Sequence, residues 1–135
     1  MKTRLALVLL TLGLLASPAL AQNSPAATSA TVQAAATTNA TATKTSPGIL
    51  YGFSLCNTSA AAKYFKFYNK ASAPTVGTDV VFFKILIAAN ICRDRSFTLG
   101  KNFPIGIAYA ITGAQADSDT TAVAAGDVVG AFDYK

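Results

Sequence analysis

From residue 49 onward the apolar side chains recur with a period of two, and no stretch carries a convincing amphipathic helix pattern. Ile49 to Leu55 reads as a first strand rich in β formers. Lys63 to Asn69 alternates Phe65 and Phe67 on one face with Tyr64, Lys66 and Tyr68 on the other. Val80 to Ala88 places Phe83, Ile85 and Ile87 on the presumed core face, with Phe82, Lys84 and Leu86 opposite. Ser96 to Leu99 is a shorter strand. Ile105, Ile107, Tyr109 and Ile111 form another odd-numbered stripe, and Val128, Phe132 and Tyr134 are in phase in a last one. Asn57-Thr58-Ser59, Asn69 to Pro74, Val76 to Asp79 and Gly100-Lys101-Asn102 supply turn chemistry between them. Six short strands about a dozen residues apart predict an all-β fold, a single antiparallel β-sandwich of jelly-roll or Greek-key type. A small Greek-key barrel is the close alternative. The one helical possibility is a turn over Asp119 to Ala125, with Asp119 as its cap.

The residues before this domain divide in two. Met1 to Ala21 has the form of a secretory signal peptide: Lys2 and Arg4, then an apolar run from Leu5 to Leu15, then Ser17-Pro18 and the small-x-small sequence Ala19-Leu20-Ala21. The run is shorter than the roughly 20 residues that span a bilayer, so no stable membrane span is expected after cleavage. No cysteine near the cleavage point suggests a lipoprotein. Residues 22–47 contain 8 Ala, 7 Thr and 3 Ser, one charge and no aromatic residue. Such small side chains bury too little area to offset the entropy of ordering, which predicts a disordered linker. The alternative is a glycosylated stalk, since Asn39-Ala40-Thr41 is a sequon. Residues 48–135 then form the β-sandwich domain and hold all thirteen aromatic residues.

Composition limits the chemistry. There is no His, no Trp and no Glu, and all six acidic residues are Asp. Ser-His-Asp and Cys-His nucleophilic catalysis and His-ligated zinc are therefore excluded. No nucleophile has a plausible base, and Asp117 and Asp119 lie too near in sequence to define the separation of a glycosidase pair. A non-enzymatic role is expected. Without residues 1–21 the net charge falls from +5 to +3, because Lys2 and Arg4 leave with the signal. That is too mild and too scattered for a nucleic-acid binder. Arg93-Asp94-Arg95 reads as a solvated loop tip, with too few partners for phosphate recognition.

Cys56 ends the first strand and Cys92 follows the third. Two cysteines in an exported chain favour one disulfide, and nothing like Cys-x-x-Cys suggests redox activity. Closing a loop of roughly 37 residues stabilises by about 3–4 kcal/mol on the chain-entropy argument.

Two clusters qualify as candidate sites. Asp117, Asp119 and Asp127 place three hard oxygen ligands in one loop, as calcium binding requires, although the EF-hand pattern is absent. The plainer account is an Asp/Thr loop whose side chains bond nearby backbone. Calcium is the one cofactor this pattern suggests. Tyr64, Lys66 and Tyr68, continued by Lys70, make an aromatic–cation stripe able to stack sugars or bases. Its plainer account is the solvent face of a sandwich strand.

Tyr64 to Asp79, Gly106-Ile-Ala-Tyr-Ala-Ile-Thr-Gly113, Ala116 to Val128 and the final Tyr134-Lys135 together resemble a small β-rich module. That module recurs in virion structural proteins of tailed bacteriophages and their prophages. The resemblance covers most of residues 50–135. It implies a β-sandwich in capsid decoration, tail or fibre roles, often within an oligomer. The export signal, the linker and the Cys56/Cys92 pair depart from the module and favour an exported protein that has reused it. The expected role is therefore a secreted or periplasmic structural or interaction domain that contacts a protein or surface partner or self-associates. The alternatives are a phage or prophage virion component and a carbohydrate-binding module built on Tyr64, Lys66 and Tyr68.

Overall fold

A computed structural model describes residues 26–135. The signal peptide expected at 1–21, and the start of the expected linker, lie outside them. Within this span the chain forms eight strands and no helix: β1 (Thr28–Gln33), β2 (Thr41–Lys44), β3 (Gly48–Asn57), β4 (Lys63–Asn69), β5 (Phe83–Ile87), β6 (Cys92–Phe103), β7 (Ile107–Thr112) and β8 (Val128–Tyr134). They make two four-stranded antiparallel sheets, ordered β1-β8-β3-β6 and β2-β7-β4-β5. Eight strands in this order are a jelly roll. Residues 119–125 form no helix, only extended chain and a turn.

The expectation of a disordered linker over 22–47 does not hold for residues 28–44. Thr28 pairs with Tyr134 and Gln33 with Val129, while Thr41 pairs with Tyr109. The stabilisation comes from places that composition does not weigh. Each strand satisfies backbone groups along the edge of a sheet. Only Val32 and Ala34 need enter the core. The threonines are β-branched and suit an extended backbone. Asn39 sets the turn between the two strands with a left-handed φ of 54°. Its side-chain nitrogen donates to the Thr37 and Ala35 carbonyls at 2.9 and 3.1 Å. The sequon nitrogen is thus part of the turn.

The core is aromatic. Phe65 and Phe67 of β4 point inward with Ile85 and Ile87 of β5 and Ile107 and Ile111 of β7, as the alternation predicts. Across the sandwich Phe132 meets Phe67 edge-on at 5.2 Å between ring centres, and within one sheet Phe65 stacks on Tyr109 at 4.8 Å. Such contacts add to burial rather than replace it. Ile105 falls outside the stripe and is exposed.

Gly130, in the middle of β8, has φ of 143°, and a Cβ there would collide with the Ser54 carbonyl oxygen. A glycine is required for β8 to lie this close to β3. In β6 the pairing jumps from Ser96–Gly52 to Lys101–Leu50, so four residues, 97–100, bulge opposite Tyr51. Gly100 turns the bulge with φ of 70°.

Candidate functional site

The aromatic–cation stripe does not lie on a solvent face. Lys66 and Tyr68 point away from the main core, but residues 70–82 and 113–121 pass over them. Both side chains are fully buried, and Tyr64 is half-buried. Tyr68 packs with Ala108 and Ala110 beneath Val76 and Val81. Lys66 reaches the Ala116 carbonyl, its Nζ donating at 2.6 Å. Burial lowers the Lys66 pKa, partly offset by the charges of Asp119 and Asp117. These residues fasten a loop to a sheet, and a sugar cannot reach them as a stripe.

Tyr68 carries a cost of its own. Its hydroxyl is buried with no hydrogen-bond partner among the described residues. Burial, followed by the charges of Asp117 and Asp79, pushes its pKa up, so it stays neutral. An unsatisfied buried polar group costs about 1–3 kcal/mol. Tyr68→Phe is therefore expected to raise the thermal midpoint by a few degrees, read by circular dichroism at neutral pH. A lowered midpoint would show that the hydroxyl holds a partner, such as an ordered water.

The three aspartates read as calcium ligands have separate tasks. Asp117 pairs with Lys84 at 2.7 Å, and Asp127 with Lys63 at 3.0 Å. Asp119 accepts from the Ala114 amide at 2.8 Å and from the Thr121 hydroxyl at 2.6 Å. Burial raises the Asp119 pKa, but these hydrogen bonds outweigh it and hold the carboxyl below its ordinary value. Asp127 is also held low, first by the Ala124 amide and then by Lys63. Among the described residues no group of three or more His, Cys, Asp or Glu side chains is placed to hold a metal ion. Asp79, paired with Lys70 and accepting from the Thr75 amide at 2.6 Å, is a fourth carboxylate tied to local structure. The loop is built from Asx chemistry.

Cys56 and Cys92 are joined, and they sit directly opposite one another in the β3–β6 ladder, with Cα atoms 3.8 Å apart. The bridge fixes the start of β6, an edge strand with β3 as its one neighbour among the described residues.

The remaining surface chemistry concentrates on the side where the edges β5 and β6 meet. Of the six large apolar side chains exposed among the described residues, five (Val80, Phe82, Leu86, Ile91 and Leu99) belong to β5, β6 or the segments leading into and between them. Cations stand among them. Lys101 lies 5.0 Å from the Phe82 ring centre and 5.2 Å from that of Phe83, and Arg95 lies 5.0 Å from Phe97. A 280 Å³ cleft opens between the strands, lined by Phe53, Phe83 and Ile85 and by three cations, Lys84, Arg93 and Arg95, against one acid, Asp94. A wider 470 Å³ depression crosses the outer face of β3 and β8, where Tyr51, Phe53 and Arg95 stand with Ser54, Asp94 and Asp133. Both depressions mix polar and apolar lining, and the β5/β6 cleft is the one that sets two arginines beside Phe53, Phe83 and Ile85 next to the edge of β5.

Arg93-Asp94-Arg95 is thus strand, not loop tip. The signal was present in the sequence, because Arg93, Arg95 and Phe97 share a period-two face with Asp94 and Ser96 opposite. A pattern search restricted to apolar residues passes over it.

Fold and site together define an all-β, disulfide-bonded jelly roll with one apolar and cationic open side. Comparison with protein-family models, with curated proteins and with solved structures finds no match to this chain.

Proposed function

We propose that the chain is an exported, non-enzymatic structural or interaction domain that works through contact along its β5/β6 side. The observation that carries this reading is the cleft between β5 and β6, where Arg93 and Arg95 stand beside Phe53, Phe83 and Ile85. Concave sites with apolar walls and a few charged groups are the usual places where a folded domain takes a partner. The disulfide is compatible with an oxidising compartment. Jelly rolls also serve in viral capsid and lectin domains, a likeness of architecture that suits a surface role and the resemblance to virion modules.

Production of the full chain in a Gram-negative bacterium tests the reading. The protein is expected in the periplasm or medium, beginning at Gln22, with both cysteines oxidised by intact mass. Labelled protein is expected to be retained on the producing cells, and Val80→Ser/Leu99→Ser to cut retention at least fivefold without lowering the thermal midpoint. Both side chains already stand in water, at 87% and 93% exposure, so their loss costs the fold little. Cytoplasmic protein with free thiols, or equal retention of variant and wild type, would retire the proposal.

A further inference from the structure

Arg93 and Arg95 stand opposite Leu55 and Phe53 in the β3–β6 ladder. Cross-strand partners share a face, so the two arginines lie on the face that elsewhere buries its side chains. Leu55 is fully buried and Phe53 nearly so, yet both arginines are exposed. The reason is that β5 does not close over them. Its Phe83 ring reaches inward to Phe53 and Phe97, at 6.5 and 6.0 Å, and the 280 Å³ cleft is left between Phe83–Leu86 and Arg93–Arg95. Among the described residues β5 also has β4 as its one sheet neighbour, so a row of its backbone N–H and C=O groups has no strand partner there.

We propose that this cleft receives one extended segment of another protein, carrying carboxylates at alternate positions, which adds to the free edge of β5 and pairs its acids with Arg93 and Arg95. The proposal rests on the contact role argued above and names the partner's chemistry. Residues two apart on a strand are about 7 Å apart and face the same way. Acids at i and i+2 of an extended segment therefore match the spacing of the arginines, while a following apolar side chain reaches the Phe53–Phe83 floor. Strand addition supplies the main-chain bonds, and the arginines select the sequence.

Charge decides against the other occupants. A second copy would bring the same edge, with Arg93, Arg95 and Lys101 against Asp94, and like charges would meet across a two-fold axis. The 97–100 bulge further interrupts edge-to-edge pairing through β6. Residues 1–25 of this chain contain no acidic residue.

The test uses the purified full chain and an acetylated, fluorescently labelled heptapeptide of threonines alternating with aspartate, aspartate and leucine. Fluorescence polarisation is expected to show saturable binding that weakens as salt is raised. The peptide with lysines for aspartates, and the acidic peptide N-methylated on alternate residues to block strand pairing, are each expected to bind at least tenfold more weakly. Arg93→Glu/Arg95→Glu is expected to lose the acidic peptide and gain the basic one. Equal binding of acidic and basic peptides by the wild type, or no binding at millimolar peptide, overturns the proposal even if the variant fails to fold. If wild-type cell retention persists in that case, the cleft assignment falls and the contact role stands; absent retention removes the contact role as well.

Discussion

Phe67→Ala is expected to be the most damaging single truncation, lowering unfolding free energy by about 3–5 kcal/mol. The side chain is fully buried at the meeting point of both sheets. Its ring lies 4.9 Å from Phe65, 5.2 Å from Phe132, 6.0 Å from Phe103 and 6.1 Å from Phe83. Four rings would lose a neighbour at once, and rigid aromatic walls held by two hydrogen-bonded sheets collapse poorly into a void. At about 4 °C or more per kcal/mol for a domain of this size, the thermal midpoint should fall by about 12 °C or more. Phe82→Ala is the control. That ring is 41% exposed and rests mainly on Phe103 and Lys101, so its loss should cost far less. Urea unfolding of both variants, with the disulfide intact, provides the comparison. Equal losses would mean that the aromatic core is not centred on β4.

Removing the bridge by Cys56→Ser/Cys92→Ser is expected to cost about 4 kcal/mol, the entropy of closing a loop with a sequence separation of 36. The bridge also acts locally. β6 bonds to β3 alone, and its bulge splits the pairing into Gly52–Cys56 with Cys92–Ser96 and Gly48–Leu50 with Lys101–Phe103. Without the crosslink, the Cys92–Ser96 half keeps a short ladder and few buried side chains. Amide exchange should therefore rise first over residues 92–96, ahead of global unfolding. Denaturant midpoints that coincide with and without reductant would refute this account.

The sequence expressed the fold wherever a strand has one apolar and one polar face. β4 and β5 declare their inner faces through Phe65/Phe67 and Phe83/Ile85/Ile87, and β7 does so through Ile107/Tyr109/Ile111. Other elements gave weaker signals for specific reasons. β1 and β2 are stabilised chiefly by backbone pairing to β8 and β7, a contribution with no side-chain signature. Alternation placed Lys66 and Tyr68 opposite Phe65 and Phe67. It could not reveal that residues 113–121 fold back over them, because the Lys66–Ala116 bond spans 50 residues. The aspartate loop was legible as turn chemistry, while its salt bridges to Lys63 and Lys84 required the fold. The open side was hidden by charge, since β6 carries arginines where a closed sandwich carries apolar residues.

The pairing of Thr28 with Tyr134 has a mechanical consequence. The described chain enters and leaves at the same end of neighbouring antiparallel strands. Tension between those two points would load the β1–β8 ladder one rung at a time, as a zipper is opened, rather than shear six rungs together. Peeling β1 would withdraw Val32 from the core at modest force, while the Cys56–Cys92 bridge still held β3 to β6. The domain would therefore yield under tension by releasing slack from its N-terminal strand while β3 and β6 stayed joined.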